Sequence, residues 1–337
     1  MRASLPVPGA RCWIARRKRP RPARRARPER RFQPLRLRVL GSAAGGGFPQ
    51  WNCGCPNCEG VRSGSIRAVA RRQESVVVSA DGQSWFLLNA SPEIREQIES
   101  FPALWPRRPR HSPIEGIVLT NGDLDHGLGL LSLRESYPIE IYATEAVRRG
   151  FTDGNVFYRT LERFEGQATW RILSLGGTRT LGGAASALSI KAFPVPGKRP
   201  IHLEGRGPAS DEDNIGLLIR DAVTRKTFAY VPAAATWTGI LDEMLAPVDA
   251  VFFDGTFWSS AELVTTGVGN KRAEDMAHLP VGGPDGGMAR LARLAGKRRV
   301  LIHINNTNPL LREDSPERAQ TDAAGIELAF DGMELEL

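Results

Sequence analysis

From Leu37 onward the chain consists of short apolar runs separated by glycine, proline and polar turns. LRVLG (37–41) reads as a strand that ends in the glycine-rich loop GSAAGGG. ESVVVSA (74–80) and SWFLLNA (84–90), split by Asp81-Gly82, predict a hairpin. SPEIREQIES (91–100) has a serine cap, proline in its first turn and early acids, so a helix is expected to start there. GIVLT (116–120) is a buried strand, NGDLDH a polar loop, GLGLLSLRES a helix and IEIYAT (139–144) the next strand.

Between 160 and 200 the strands WRILSL and ALSIKAFPV alternate with glycine loops. IGLLIRD (215–221) and TFAYVP (227–232) predict a second hairpin, and LDEML (241–245) a helix. DAVFFDGTF (249–257) is a buried strand ending in a polar corner. A helix over 286–296 precedes RVLIHIN (299–305), a buried strand with polar residues at its exit, and IELAFDGMELEL closes the chain as a hairpin. Strand-rich halves bracketed by helices predict an α/β (α+β) class: a four-layer αββα sandwich of two packed sheets with helices on both outer faces. No internal repeat divides the run from 37 to 337, so one domain is expected there.

Composition changes this picture at one end. The total charge is +8, but Met1 to Arg36 hold 13 Lys/Arg and one acid, Glu29, a net of +12. The remainder therefore carries −4, and nothing in it asks for nucleic acid. Residues 1–36 read as a basic, Pro/Arg-rich disordered extension, because like charges repel and proline blocks helix and sheet. No apolar run reaches about 18 residues, so no membrane insertion is expected. The start lacks the pattern of a secretory signal, and a cytoplasmic protein is expected.

The four cysteines are Cys12, in the extension, and Cys53, Cys55 and Cys58, within six residues. In a reducing compartment that spacing reads as metal ligation. Zinc is held tetrahedrally, with thiolates at ~2.3 Å. The three clustered cysteines supply three corners, and a histidine from elsewhere is expected at the fourth. A second set is Asp123, Asp125 and His126, in the loop after a buried strand. Two carboxylates that close repel unless a cation lies between them, and an oxygen-rich site with one imidazole suits iron(II), manganese or magnesium. The alternative is a helix N-cap.

Asp254 ends a buried strand, where a charge must be paired or ligated unless it only forms the turn. His303 lies in an apolar strand whose exit is crowded by asparagines, as a core residue or as a cleft or metal residue. His278 follows a glycine-rich loop and is a candidate proton carrier or orienting group. His111 and His202 read as ordinary loop residues.

The stretch Asn121-Gly-Asp123-Leu-Asp125-His126 resembles the His-x-His-x-Asp-His loop of the metallo-β-lactamase superfamily, with its last two positions matched and its first two histidines replaced by Asn121 and Asp123. A closer resemblance runs through VLGSAAGGGFPQWNCGCPNC, NASPEIR, LLSLRE, DGTFW, HLP, LIHINNTNP, ERA and FDGMELEL to the coenzyme PQQ synthesis protein B family. It implies a cytosolic protein of the pathway that builds pyrroloquinoline quinone (PQQ) from a glutamate and a tyrosine of a small peptide. In relatives with the same cysteine knot, a histidine three residues past the last active-site histidine completes the structural zinc; here that position is Asn306. His303 is thus implied either for the active metal or for the cysteine zinc. Asp254 and His278 match a strand carboxylate and loop histidine that relay protons in those relatives.

The expectation that follows has Asp123, Asp125 and His126 holding one Fe(II), with His303 as a further ligand, and dioxygen as co-substrate. The substrate implied is a Glu–Tyr unit derived from the peptide, hydroxylated on its tyrosine ring. Other PQQ-pathway proteins are the implied partners, and a homodimer is compatible. Arg134, Arg179, Arg199 and Arg206 are candidates for substrate carboxylates. The rival readings are a carrier that assists transport of PQQ or its precursor to the periplasm, and a metal-dependent phosphoester hydrolase.

Overall fold

Val76, Val78, Phe86 and Leu88 point to one face of their sheet, Val77, Trp85 and Leu87 to the other, and all seven are buried. A strand covered on both faces carries no polar alternation, which is why these runs read as continuously apolar. A second sheet repeats the arrangement. Phe228, Tyr230, Phe252, Val300 and Ile302 join the first four residues in the central layer, while Ala229, Val231, Val251, Phe253 and Leu301 pack outward. These three apolar layers are what two sheets flanked by helices require. The computed structural model describes residues 33–183, 186–294 and 296–337. Cys12 and the extension through residue 32 lie outside the described residues.

The first sheet runs, in spatial order, Glu334–Glu336, Arg36–Gly41, Ser75–Ser79, Trp85–Leu88, Ile114–Val118, Ile139–Ala143 and Ala168–Ile172. Its last four strands are parallel. The second runs Glu327–Leu328, Arg298–Ile302, Ala250–Asp254, Thr227–Val231, Ile215–Asp221, Leu188–Pro194 and Thr178–Thr180, with its first four parallel. Asn89, Thr120, Asp254 and His303 stand at or just past the C-terminal ends of parallel strands, the rim where open α/β sheets bind ligands. An isolated bridge between Asn121 and Asn214 ties the two sheets together at this rim. Among the described residues no helix is long and apolar enough to cross a membrane.

Both expected hairpins form, Ser75–Ser79 with Trp85–Leu88 and Ile215–Asp221 with Thr227–Val231. Three elements differ from expectation. The helix expected from Ser91 starts at Ile94, because Asn89 takes a left-handed φ of 61° and Ala90 N–H is already bound to His126 carbonyl. The helix expected after His126 breaks into two single turns, Leu124–Gly127 and Gly129–Ser132. There Gly129 lies against the 90–91 backbone, where a Cβ would come within 2.2 Å of Ser91 carbonyl oxygen. The closing segment is not a hairpin: Glu327–Leu328 joins one sheet and Glu334–Glu336 the other. Asp331 holds this crossover by accepting from Ser42 Oγ and Arg72 N–H. The body also starts slightly earlier than residue 37, since Leu35 is fully buried and bonded to Leu337.

Candidate metal centre

Asp125 and His126 lie on the single helical turn Leu124–Gly127, which the loop after strand Ile114–Val118 delivers to the rim. His303 reaches the same point from the other sheet. Its φ of 61° is unusual for a residue with a Cβ and marks a constrained position. Ligand atoms of Asp125, His126 and His303 fall within 4.8 Å of one another, and Asp125 Oδ2 is 3.2 Å from His303 Nε2 and 3.8 Å from His126 Nε2.

The hydrogen bonds assign the tautomers. Thr120 hydroxyl donates to Asn89 Oδ1 at 3.1 Å, so at 3.3 Å it accepts from His126 Nδ1–H, and Nε2 keeps its lone pair. In the same way Thr256 hydroxyl donates to Asp254 Oδ1 at 2.6 Å and accepts from His303 Nδ1–H at 2.7 Å. Among the described residues His126 Nε2 is buried without a hydrogen-bond partner, and so is Glu74 Oε1 nearby. A lone pair on His126 Nε2 beside the carboxylates of Asp125 and Glu74 is unfavourable unless a cation lies among them, so this donor set fits a metal ion.

The electrostatics agree. Burial, with the charges of His303 and His278, pushes His126 down to about 4, which keeps the imidazole neutral for ligation. Burial alone would raise Asp125, but His126 and His303 hold it far below the usual carboxylate range. Burial would lower His303, yet its bond to Asp125 and the charges of Asp125 and Asp254 bring it above its ordinary value.

A second cluster shares His303. Asp254, at the end of its strand and fully buried, accepts from Ala234 N–H, Thr256 N–H, Thr256 hydroxyl and His278 Nδ1–H. Burial would raise Asp254, but His278 and His303 together with the Thr256 bond keep it below its ordinary value. The His278 and His303 rings stack with centroids 5.4 Å apart.

The cysteine knot is separate. Cys53, Cys55 and Cys58 are buried with their sulfurs within 4.8 Å of one another. Asn306 Nδ2 lies 3.2, 3.7 and 3.4 Å from the three sulfurs. Burial pushes Cys55 up to about 11, a cost that a thiophilic cation removes. Three converging, buried thiols fit structural zinc. Asn306, not His303, faces them, and His303 is committed to Asp125 and Thr256.

A family model for the beta-lactamase superfamily domain matches residues 84–304. The chain is 44% identical over 304 residues to coenzyme PQQ synthesis protein B of Pseudomonas paraeruginosa, covering 90% of this chain and all of that one. The homologue from Azotobacter vinelandii matches equally, at 44% with the same coverage. The crystal structure of Zn(2+)-bound PqqB from Methylobacterium extorquens superposes with a TM-score of 0.83 at 42% identity, over 90% of this chain and all of that one. The chain belongs to the coenzyme PQQ synthesis protein B family. Its fold is the metallo-β-lactamase sandwich.

In this chain, Asp123 stands apart from both clusters. It precedes the helical turn in extended conformation and caps nothing with its side chain; burial and Asp125 raise its carboxyl, and Lys198 and His278 oppose that. Asn121, at the superfamily's first histidine position, donates to Asn214 Oδ1. Arg199 donates to Pro208 carbonyl, and Arg206 borders a groove with Leu124 and His202. Arg134 is tied to its own helix end by Leu131 carbonyl, and Arg179 lies on an exposed edge strand. His111 accepts from Arg107 N–H in a surface loop. Sequence reasoning missed Glu74, Asn89, Thr120 and Thr256. Glu74 had one signal, a lone acid opening an otherwise apolar run; the other three look like ordinary strand-end residues.

Proposed function

We propose that this chain acts in PQQ synthesis as an iron-dependent oxygenase that hydroxylates the tyrosine ring of a Glu–Tyr precursor, one atom of dioxygen entering the ring and the other leaving as water with two electrons from an external reductant. The observation that carries this reading is the set Asp125, His126 and His303, one carboxylate and two imidazoles meeting at a cleft. That is the donor set of non-haem Fe(II) oxygenases. Fe(II) bound there would supply dioxygen activation.

The chain's own residues supply the rest. Asp254 fixes His278 through Nδ1–H at 2.7 Å, leaving Nε2 as the ring nitrogen that exchanges a proton with a phenol. Asp254 stays ionised and supports the imidazolium that results. Lys198, Arg199 and Arg206, on the segment that follows strand Leu188–Pro194, offer cations suited to the carboxylates of a glutamate. With Asn121 turned to Asn214, the loop lacks the histidine cage of a two-zinc phosphoesterase.

The test is to load the protein anaerobically with Fe(II), add a Glu–Tyr peptide and ascorbate as the two-electron reductant, admit oxygen, and follow its uptake together with peptide mass. Oxygen consumption coupled to a mass gain on the tyrosine is expected. An unchanged peptide with no oxygen uptake, or turnover of a phosphodiester instead, overturns the reading.

A further inference from the structure

A groove of about 300 Å³ lies beside the Leu124–Gly127 turn, and none of Asp125, His126 and His303 lines it. Leu124 and Leu128, four residues apart, share the face of the turn that borders it. Phe151 lies beneath, its ring so close to Gly127 that an added Cβ would come within 2.0 Å of Cζ. Leu203 and Phe157 complete the apolar walls. Leu124, Leu128 and Phe157 keep 48%, 38% and 69% of their surface exposed. Single exposed apolar residues are ordinary, but three around one concavity mark a binding surface. Two polar groups there lack protein partners. His202 Nδ1 is buried with no hydrogen-bond partner among the described residues, and burial together with Arg206 lowers the ring's pKa, so it is neutral near pH 7. Arg206 makes no ion pair among the described residues, and Asp153, the acid lining the groove, is already held by Arg149 at 3.0 Å. The segment carrying both groups also reaches the cleft. Pro200 packs on Gly122, where an added Cβ would lie 2.9 Å from Cγ, and the charge of Lys198 is felt at Asp123.

We propose that this groove is a specificity subsite for a peptide that continues one residue past the reacting tyrosine, taking that residue's apolar side chain between Leu124, Leu128, Phe151 and Phe157 and its terminal carboxylate at Arg206. A lone cation beside apolar walls matches an apolar side chain and a carboxylate on the same residue, the combination that a peptide's C-terminus presents. His202 supplies one hydrogen-bonding atom for the peptide backbone. Lys198, nearer Asp123, is left for the glutamate. The substrate class is then a short peptide ending in Glu–Tyr and one apolar residue. The inference rests on the reading that a Glu–Tyr unit reacts in the neighbouring cleft.

The experiment uses full-length Fe(II)-loaded protein. Anaerobic calorimetry measures its affinity for Glu–Tyr, Glu–Tyr–Leu, Glu–Tyr–Ser and C-terminally amidated Glu–Tyr–Leu, and ascorbate with oxygen then tests each for hydroxylation. Glu–Tyr–Leu is expected to bind roughly 10- to 100-fold more tightly than Glu–Tyr–Ser, the effect of burying one leucine side chain. Amidation should weaken it by at least about threefold, the modest effect of losing an exposed ion pair. Phe157→Ser and Arg206→Gln replace exposed side chains, so both variants should fold. Phe157→Ser should shrink the leucine-to-serine ratio to within about threefold, and Arg206→Gln should erase the acid-to-amide ratio. Each ratio is taken within one protein, so a general loss of binding cancels. Equal affinity of wild type for the three unblocked peptides, or binding of none, overturns the inference, while hydroxylation of Glu–Tyr in the same samples leaves the oxygenase reading intact. Selective binding of Glu–Tyr–Leu with no peptide hydroxylated overturns the oxygenase reading and leaves the subsite. Sedimentation is run alongside: a wild-type dimer that Phe157→Ser dissociates, with peptide ratios unchanged, would show that a second copy of the chain occupies the groove and overturn the inference.

Discussion

His278 Nδ1 lies 2.7 Å from Asp254 Oδ2, and that one contact joins a loop imidazole to a carboxylate receiving three further hydrogen bonds. The two residues should therefore fail differently. Asp254→Ala strips the acceptor from four donors in a dry site and should cost on the order of 3–5 kcal/mol of stability. His278→Gln removes one of those donors and should cost about 1 kcal/mol while lowering turnover by roughly 10²–10⁴-fold. Thermal melts beside hydroxylation rates check this. A His278→Gln enzyme with wild-type turnover removes the proton-transfer role.

The cysteine knot predicts a stability phenotype. Cys55→Ser takes away one of three converging thiols, and structural zinc contributes folding free energy. Zinc content should fall by one ion per chain, with a loss of several kcal/mol, roughly 10 °C in melting temperature. The wild type should lose the same increment on treatment with a strong chelator, and the variant should be insensitive to it. Unchanged zinc content and melting temperature in Cys55→Ser contradict the assignment.

Asp123 and Asp125 are two residues apart, and only Asp125 lies in the cluster with His126 and His303. Asp125 touches both imidazoles, whereas Asp123 sits outside the helical turn, nearer Lys198. Asp125→Asn should weaken ion binding in the cleft by at least about 100-fold, and Asp123→Asn by less than about tenfold. Titration of each variant with Co(II), its cysteine zinc retained, measures the difference. Equal losses would restore Asp123 to the ligand set.

What the sequence made legible follows from what local patterns encode. The apolar runs marked the buried strands because both faces of each sheet are covered, and the Cys53–Cys58 spacing marked a convergence of thiols because those residues are neighbours along the chain. Asp125-His126 was visible for the same reason. Distant pairings were not visible. That His303 lies against Asp125 follows from its left-handed backbone after strand Arg298–Ile302, which no run of residue types announces. Glu74 looked like the polar edge of a strand, and only the fold brings it against His126. The closing segment reads locally as a hairpin. Its two halves separate because Asp331 binds Ser42 and the Arg72 backbone, residues about 260–290 positions earlier.

Glu262 gives a pH signature independent of the cleft. Its side chain is buried, accepting from Thr307 hydroxyl at 2.5 Å and Trp258 N–H at 2.6 Å, and burial pushes its carboxyl up to about 7 from an ordinary 4.5. Because the folded-state pKa lies above the unfolded one, the folded protein holds a proton between about pH 4.5 and 7 that the unfolded chain has released. Stability must then fall as pH rises through that window, by on the order of 3 kcal/mol if the shift is fully expressed. Glu262→Gln cannot ionise, so its stability curve should lack this fall and cross above the wild-type curve toward neutral pH. Other buried acids such as Glu93 and Asp331 tilt both curves alike, and the difference between the two curves isolates Glu262. Urea unfolding of both proteins at half-unit steps from pH 4.5 to 8 measures that difference, and parallel curves would show that the Glu262 carboxyl titrates as an ordinary one.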